Sequence, residues 1–439
     1  MRTISVGLIG FGTVGSGLAE VLLSQKDRLV QRSGLAVRLA CVADIMIDEL
    51  PPQFAGTKLT KDAREMINDP EIDIIVELIG GIEPAKTFVL EAIAAGKHVV
   101  TANKALLSQE GKEIFAAAAD KGVEVGFEAS VGGGIPVIKA LKEGLVANNI
   151  LSIMGIMNGT ANYILTRMTD EGIPFADVLK DAQELGFAEA DPTYDVEGID
   201  TAHKLAILMT MAYGMNITHN DIATEGISQV EPMDIEFARE FGYRIKLLAI
   251  SKNHGDNVEA RVHPTMVPES HLLASINGAY NAIHFTGDTV GNVLLYGLGA
   301  GKIPTGSAVA ADVMDIARNI EFEAVGRVPS LSYLPEEIKD ITITPMDDLA
   351  CPWYFRISAK DKPGVLASIA GVLSEYDISI ESVIQKGRQE TGPVSIVIST
   401  HTAPEVAVHA ALEKIDHLDV VSAPTVKIRM LDETVSFEG

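Results

Sequence analysis

The chain has 439 residues, several times what one hydrophobic core serves, so two to four domains are expected. Apolar residues make up 47% and charged residues 22%, ordinary globular usage that excludes global disorder. With 60 acidic residues against 35 basic ones the formal charge is −25, which repels phosphate backbones and anionic lipid and argues against nucleic-acid or membrane partners.

Cys41 and Cys351 are the only cysteines, too few for a disulfide framework or a thiolate zinc site. The apolar run that starts at Ile4 meets Gly7, Gly10 and Gly12 at once, too broken for a signal peptide or a membrane span. A cytoplasmic location is therefore expected. Residues 4–126 alternate apolar runs (Ile4–Ile9, Val37–Ala43, Ile72–Glu77, Val99–Ala102, Val123–Gly126) with segments of helical period (Thr13–Ser24, Asp62–Asn68, Pro84–Ala95, Leu106–Lys121). Such alternation predicts an α/β fold, a doubly wound parallel sheet with helices on both faces, over residues 1–130.

From Gly132 the pattern changes to α+β, expected to span residues 131–330. It has a Gly-rich VGGGIP, a helix near Pro136–Glu143, a strand Ile150–Met157, and helices at Thr160–Asp170 and Pro174–Leu185. An acidic loop and a long apolar helix from Asp200 come next, then strands including Val258–His263 and Ala282–Phe285 and a helix Ser307–Ile320. Residues 301–320 are expected to pack back on the first domain. Residues 331–350, rich in proline and acids, read as a linker. Residues 351–431 then run βαββαβ, the order of a ferredoxin-like domain.

Gly10-Phe11-Gly12-Thr13-Val14-Gly15 follows a predicted strand and opens a predicted helix. Gly10 permits the tight turn, Gly12 lets backbone approach a pyrophosphate, and Gly15 allows close helix–strand packing. This is the dinucleotide fingerprint of a Rossmann domain. Asp44, at the end of the second strand, is placed to accept from a ribose hydroxyl, or else to cap a helix. Its interval from Gly15 is 44 − 15 = 29 residues, longer than usual, so a long first helix or loop is expected. No Arg stands beside Asp44, which favours NAD over NADP unless Arg38 or Lys58 reaches it. Gly80, after Glu77, would let backbone approach the cofactor, and Lys104 ends the fourth strand, where such sheets place ligands.

The stretch from Leu185 through Gly186, Glu189, Asp191 and Asp195 to Asp200 and Lys204 is the richest in chemistry. Asp200 and Lys204 share a helix face, and the apolar sequence beyond them predicts burial, so the pair needs a partner or a task. The carboxylates could hold a substrate ammonium or, by charge count, a divalent metal.

At these residues the chain resembles the monofunctional homoserine dehydrogenases that carry a C-terminal ACT domain. GFGTVG, TANKALL, EASVGGGIP, MNGTANYIL, LGFAEADP, GIDTAHKL and LYGLGAGKIPTGSAVAADV occur in the family's order along essentially the whole chain. The departures are Leu298 where GPGAG is commoner and Ala161 where NGTTNYI is. The resemblance implies NAD- or NADP-dependent interconversion of L-aspartate 4-semialdehyde and L-homoserine, on the route to threonine, isoleucine and methionine. It implies Glu189, Asp195 and Asp200 as substrate-binding groups, Lys104 and Lys204 as catalytic lysines at the reacting oxygen, and Gly186 and Gly301 on the cofactor side. Two lysines at one oxygen would depress the pKa of one of them. Glu128, Val131, Gly133 and Ile135 match a family site for a monovalent cation, Na+ or K+. Asp361, Gly364 and Leu366 match the ligand loop of ACT domains, with threonine as the effector, and a homodimer or homotetramer is expected. Another Rossmann oxidoreductase on an amino-acid semialdehyde or imine, or a non-catalytic amino-acid sensor, are the competing readings.

Overall fold

The computed structural model describes residues 3–186, 188–385 and 393–432. Six parallel strands form the first sheet: β1 (Thr3–Ile9), β2 (Ala36–Ala43), β3 (Lys58–Thr60), β4 (Ile74–Glu77), β5 (His98–Thr101) and β6 (Val125–Gly126). Their order is β3-β2-β1-β4-β5-β6, so the winding reverses between β1 and β4 and opens a crevice at the strands' C-terminal ends. Ile4, Val6, Leu8, Ile74 and Val76 are fully buried, as strands covered on both faces require. Helices α1 (Thr13–Ser24), α2 (Lys26–Ser33), α3 (Arg64–Ile67), α4 (Ala85–Ala94) and α5 (Lys104–Lys121) cover the sheet. Two of these elements escape a reading by periodicity. α2 buries no residue, and β3 is only three residues long. The long interval before Asp44 is filled not by one long first helix but by α1 followed by the separate α2.

The second domain packs helices on a large sheet. Its strands are β7 (Ile150–Ile156), β8 (Tyr243–Asn253), β9 (Asn257–Pro268), β10 (Tyr280–Gly287) and β11 (Gly291–Leu298). Its helices are α6 (Gly159–Glu171), α7 (Phe175–Glu184), α8 (Ile199–Tyr213) and α9 (Pro232–Glu240). The helix expected near Pro136–Glu143 is a single α-turn, Val137–Lys139, running into a π-turn over Ala140–Gly144. Helix α10 (Lys302–Glu321) then leaves this domain and docks on the first sheet, where Ala308, Val309, Val313 and Ala317 join Leu8 and Leu18 in one core. The docking depends on two glycines. A Cβ on Gly17 would sit 2.1 Å from the Lys302 carbonyl, and one on Gly306 2.6 Å from the Gly17 backbone.

The C-terminal domain comprises β12 (Trp353–Lys360), α11 (Val365–Glu375), β13 (Ile380–Gln385), β14 (Pro393–Thr400), α12 (Glu405–Asp416) and β15 (Val426–Met430). It is less separate than its composition implies. β15 pairs in parallel with β9, Thr265 opposite Arg429 and Met266 opposite Met430, so both domains share one eleven-stranded sheet. Tyr354, Val397, Ile428 and Met430 belong to the core of the second domain. Arg429 bridges Glu225 and Glu405 across the joint, and Arg356 binds the fully buried Asp234 at 2.6 Å. The stretch before it is no free tether either. Tyr333 donates to the Ala212 carbonyl, Asn216 N donates to the Lys339 carbonyl, and Thr342-Ile343 pairs with β9. Among the described residues no helix is long and apolar enough to cross a membrane.

Helix propensity alone says that Gly306→Ala stabilises, by up to about 1 kcal/mol. The backbone contact reverses the sign, and we expect a loss of about 1–3 kcal/mol. Chemical denaturation is the check, and a gain in stability would show that α1 and α10 have room between them.

Candidate active site

Three turns meet at the crevice. Gly10, with φ +95°, donates its N–H to the Ala43 carbonyl, and a Cβ there would press on the Leu78 carbonyl at 2.9 Å. Gly15 has the Gly10 carbonyl 2.0 Å from its Cβ position, so the fingerprint turn closes only with glycine. A Cβ on Gly12 would meet nothing within 4 Å, which leaves open space at the N-terminus of α1, and no side chain caps that terminus. Thr13 and Val14 form the first turn of the helix. This turn therefore fits the diphosphate of a dinucleotide, through free N–H groups and the positive end of a helix.

Asp44 joins two of the turns: Oδ2 accepts from Phe11 N at 2.7 Å and Oδ1 from Met46 N at 2.7 Å. It caps no helix. Arg38 and Lys58 do not reach it, since Arg38 donates to Ser5 Oγ and Lys58 pairs with Glu65. The cation at this loop is Lys61, which sequence reasoning did not single out. Its Nζ donates to the Ile45 and Ile47 carbonyls and pairs with Asp48 at 3.1 Å.

The third turn follows β4. The buried Glu77 accepts from Ile79 N, from Gly80 N and from Thr101 Oγ1 at 2.6 Å, tying the ends of β4 and β5 together. Asn103 donates to the Gly81 carbonyl and caps α5 by accepting from Leu106 N, which makes Lys104 the first residue of that helix.

Lys104 meets the start of α8. Its Nζ lies 3.0 Å from Asp200 Oδ1, while Lys204 Nζ lies 2.6 Å from Asp200 Oδ2. Asp200 is 3% exposed. Burial alone would raise its pKa, but the two ammonium groups outweigh it and hold the carboxyl well below its ordinary range. Burial likewise opposes the charge on Lys104, yet Asp200 prevails and its pKa is raised. The expectation of a depressed lysine pKa is not met at Lys104, because a carboxylate stands between the two ammonium groups.

Residues to which the sequence analysis gave no role complete the cluster. Asn158 caps α6 through Ala161 N, and its Nδ2 donates to Asp195 Oδ1 at 2.7 Å and Asp200 Oδ2 at 2.9 Å. The Met157 carbonyl accepts from Lys204 Nζ at 2.7 Å and from Asn281 Nδ2 at 2.9 Å. Tyr194 lies under Lys104, its ring centroid 5.7 Å from Nζ. Asp195 is half-buried, and burial, opposed by Asn158, raises its pKa. The Asx-type cap in MNGTANYIL was a readable signal for Asn158. Asn281 had none, since its partner lies 124 residues away.

Other predicted residues sit at the margin. Glu189 is exposed, with its carbonyl held by Gln183, and its charge acts on Lys104 from a distance. Asp191 caps a local turn at Thr193 N. Gly186 ends α7 in a left-handed conformation, with φ +76°. Phe187 of the quoted LGFAEADP motif lies outside the described residues. His203 points away from the carboxylates, its Nδ1 to Ser108 Oγ and its ring stacked on Tyr194 and His219. No metal-type group of three or more His, Cys, Asp or Glu side chains occurs among the described residues.

The loop from Val131 to Ile135 is buried at Val131, Gly133 and Ile135 and presses on the Leu298–Gly301 loop. A Cβ on Gly133 would be 2.3 Å from the Gly299 carbonyl, and Gly134 N donates to the Leu298 carbonyl. Glu128 accepts from Ile138 N and Lys139 N, and its own N–H donates to the half-buried Asp312. Burial raises the pKa of both acids, that of Asp312 to about 7. Gly301, with φ +125°, starts α10. In the C-terminal domain, Gly364 (φ +90°) precedes α11 with no side-chain cap, Asp361 stands just before it, and Leu366 is 41% exposed.

Family models match the chain in three blocks. A homoserine dehydrogenase NAD-binding domain covers residues 10–128, a homoserine dehydrogenase domain 136–314, and an ACT domain 353–418. The homoserine dehydrogenase of Neisseria gonorrhoeae is 46% identical over 430 residues, 98% of this chain and 99% of that one. A crystal structure of a homoserine dehydrogenase from Thiobacillus denitrificans matches with a TM-score of 0.93 at 48% identity, covering 98% and 99% of the two chains. That of the Staphylococcus aureus enzyme at pH 7.5 matches with 0.75 at 31% identity, covering 98% and 99%. With its dinucleotide turn, its paired lysines and its full-length likeness to these enzymes, the chain belongs to the homoserine dehydrogenase family.

Proposed function

We propose that Lys104 and Lys204 act at the reacting oxygen in the interconversion of L-aspartate 4-semialdehyde and L-homoserine. The observation that carries this reading is the Lys104–Asp200–Lys204 cluster beside the crevice, with Asp200 and Lys204 buried. The bound nicotinamide supplies the hydride. A lysine ammonium has three N–H donors, and Lys204 spends two, on Asp200 and the Met157 carbonyl. The third is free to meet negative charge growing on the aldehyde oxygen. Lys104, with a side chain 34% exposed, can exchange its proton with water and so restore the one delivered to product. Glu189 and Asp195 carry the negative charge that suits the substrate's α-ammonium.

For the cofactor we infer NAD in preference to NADP. Asp44 stands where a 2′-phosphate would enter, and Lys61 is committed to Ile45, Ile47 and Asp48. A monovalent cation at the loop of Glu128, Val131, Gly133 and Ile135 would offset the adjoining acids, the buried Glu128 and the half-buried Asp312. One carboxylate and three main-chain carbonyls form a hard donor set. Asp361, Gly364 and Leu366 supply a carboxylate and a glycine-preceded, uncapped helix start, which suit the two ends of free threonine. Pairing of two chains is supported by the edge strand β11, whose Tyr296 and Leu298 are 54% and 44% exposed. A homodimer or homotetramer follows, with mass by light scattering as its check.

Lys204→Ala should lower homoserine oxidation by about a hundred- to ten-thousand-fold while leaving nucleotide binding unchanged. Turnover retained by the folded variant would remove Lys204 from the mechanism. Glu189→Ala should instead raise the homoserine KM, and an unaltered KM would refute its role. The same absorbance assay run with NAD and NADP in parallel decides the cofactor. Replacing Na+ and K+ by choline should lower Tm, and an unchanged Tm counts against the cation. Since the C-terminal strand completes the catalytic sheet, truncation near Asp348 would strip that sheet and test nothing about regulation. Asp361→Ala in the full chain is the better probe. Threonine inhibition should require at least about tenfold more threonine while basal turnover persists. Equal inhibition of both proteins would place threonine at the active site.

A further inference from the structure

Between α5, α8 and the strap of residues 325–338 lies a cavity of about 590 Å3. That is within the range of ordinary small-molecule sites, about 300–1,000 Å3. Neither the fingerprint turn nor any member of the lysine–carboxylate cluster lines it. Phe115, Phe127, Ile207 and Leu331 make its walls apolar. The polar groups in those walls are largely spent internally. Thr210 Oγ1 donates to the Ala206 carbonyl, Asn216 Nδ2 donates to Asp340, and Glu124 accepts from Asn319 and Gly326. Lys112 differs. It is exposed at the lining and makes no hydrogen bond or ion pair among the described residues. The site therefore offers an apolar interior and one uncommitted cation.

We propose that this cavity binds a small amphiphilic monoanion, with an apolar body of ring size and a single carboxylate or sulfonate facing Lys112. Its occupant would touch both helices that carry the lysines. Ser108, one turn along α5 from Lys104, lines the cavity and is hydrogen-bonded to His203 on α8. The His203 ring stacks 5.5 Å from Tyr194, which lies under Lys104. Ala206 and Ile207 line the same wall just beyond Lys204. A ligand that separates α5 from α8 thus alters the Ser108–His203 contact and, through Tyr194, the placement of Lys104. This coupling rests on the role proposed above for Lys104, whereas the binding site does not.

The probe is 8-anilinonaphthalene-1-sulfonate, whose fused rings and single sulfonate match the description. Titration of the full chain, followed by dye fluorescence with and without saturating NAD+, should give one site per chain that NAD+ does not displace. Lys112→Glu should weaken binding about three- to tenfold, the worth of one exposed charge contact and its reversal. Ala116→Trp, which places a large ring over the groove from an exposed position on α5, should abolish it. Both variants lie outside the catalytic machinery and should keep basal turnover. Saturating dye should change the turnover of the unmodified chain at least about twofold and leave Ala116→Trp unaffected. Absence of saturable binding, displacement by NAD+, or equal affinity in both variants would overturn the site. Unchanged turnover with the site filled would overturn the coupling, whatever the fate of the Lys204 assignment.

Discussion

Asp200 places a carboxylate where only 3% of the residue meets solvent, and an unpaired charge there would cost several kcal/mol. Two ammonium groups and the Asn158 amide meet that cost, and they dictate the surroundings. Lys204 must come from one turn along the same helix, so α8 has to start beneath the cluster. Lys104 must come from the first domain, so α5 has to begin at the crevice with Asn103 as its cap. Asn158 must leave β7 at the moment α6 begins. One carboxylate thus ties the two domains together beside the crevice. The cluster of Lys104, Asp200 and Lys204 carries a net single positive charge before any substrate arrives. A site already polarised toward an oxyanion needs little rearrangement when charge develops.

The paired lysines and the dinucleotide turn were legible because each is a local pattern. GFGTVG lies between a strand and a helix, and Asp200 and Lys204 are an i,i+4 pair on a helix whose further residues are apolar except Thr210. What escaped was whatever depends on distant chain. The Asn281 amide is recruited from 124 residues away, and nothing around it marks it apart from other strand asparagines. The expected fall in a lysine pKa assumed two ammonium groups facing each other across a substrate oxygen. The fold inserts Asp200 between them, and the sign at Lys104 reverses. Asp44 was read as a ribose partner or a helix cap. It is a staple between the Phe11 and Met46 turns, which still leaves it at the strand end where a ribose would lie.

The C-terminal domain shows a different limit. Its βαββαβ order is visible in the sequence, and the structure has the elements in that order, with Val365–Glu375 as the first helix. Its attachment is not visible, because a parallel pair between β9 and β15 joins segments more than 160 residues apart. Pairing of this kind makes the ACT domain an extension of the second domain's sheet. Arg429 strengthens the joint, since removing one partner from a buried ion pair leaves the other charge unsatisfied.

That continuity constrains how an amino acid, if bound at the Asp361 loop as proposed, would influence turnover. Swinging the domain away would break backbone pairing between β9 and β15 and expose Tyr354 and Met430, which belong to the second core. A change in sheet twist, or a small shift of β9 against its neighbours, breaks neither. β9 also pairs with the short strand Ala223-Thr224, and Gly198, at the start of α8, has Thr224 and Val262 within about 3 Å of where its Cβ would be. A displacement of β9 therefore bears directly on the turn that launches Asp200 and Lys204. Coupling of this kind needs only two arrangements of one packed contact, each favoured by a different ligand state. The shared sheet supplies the contact without requiring the domains to separate.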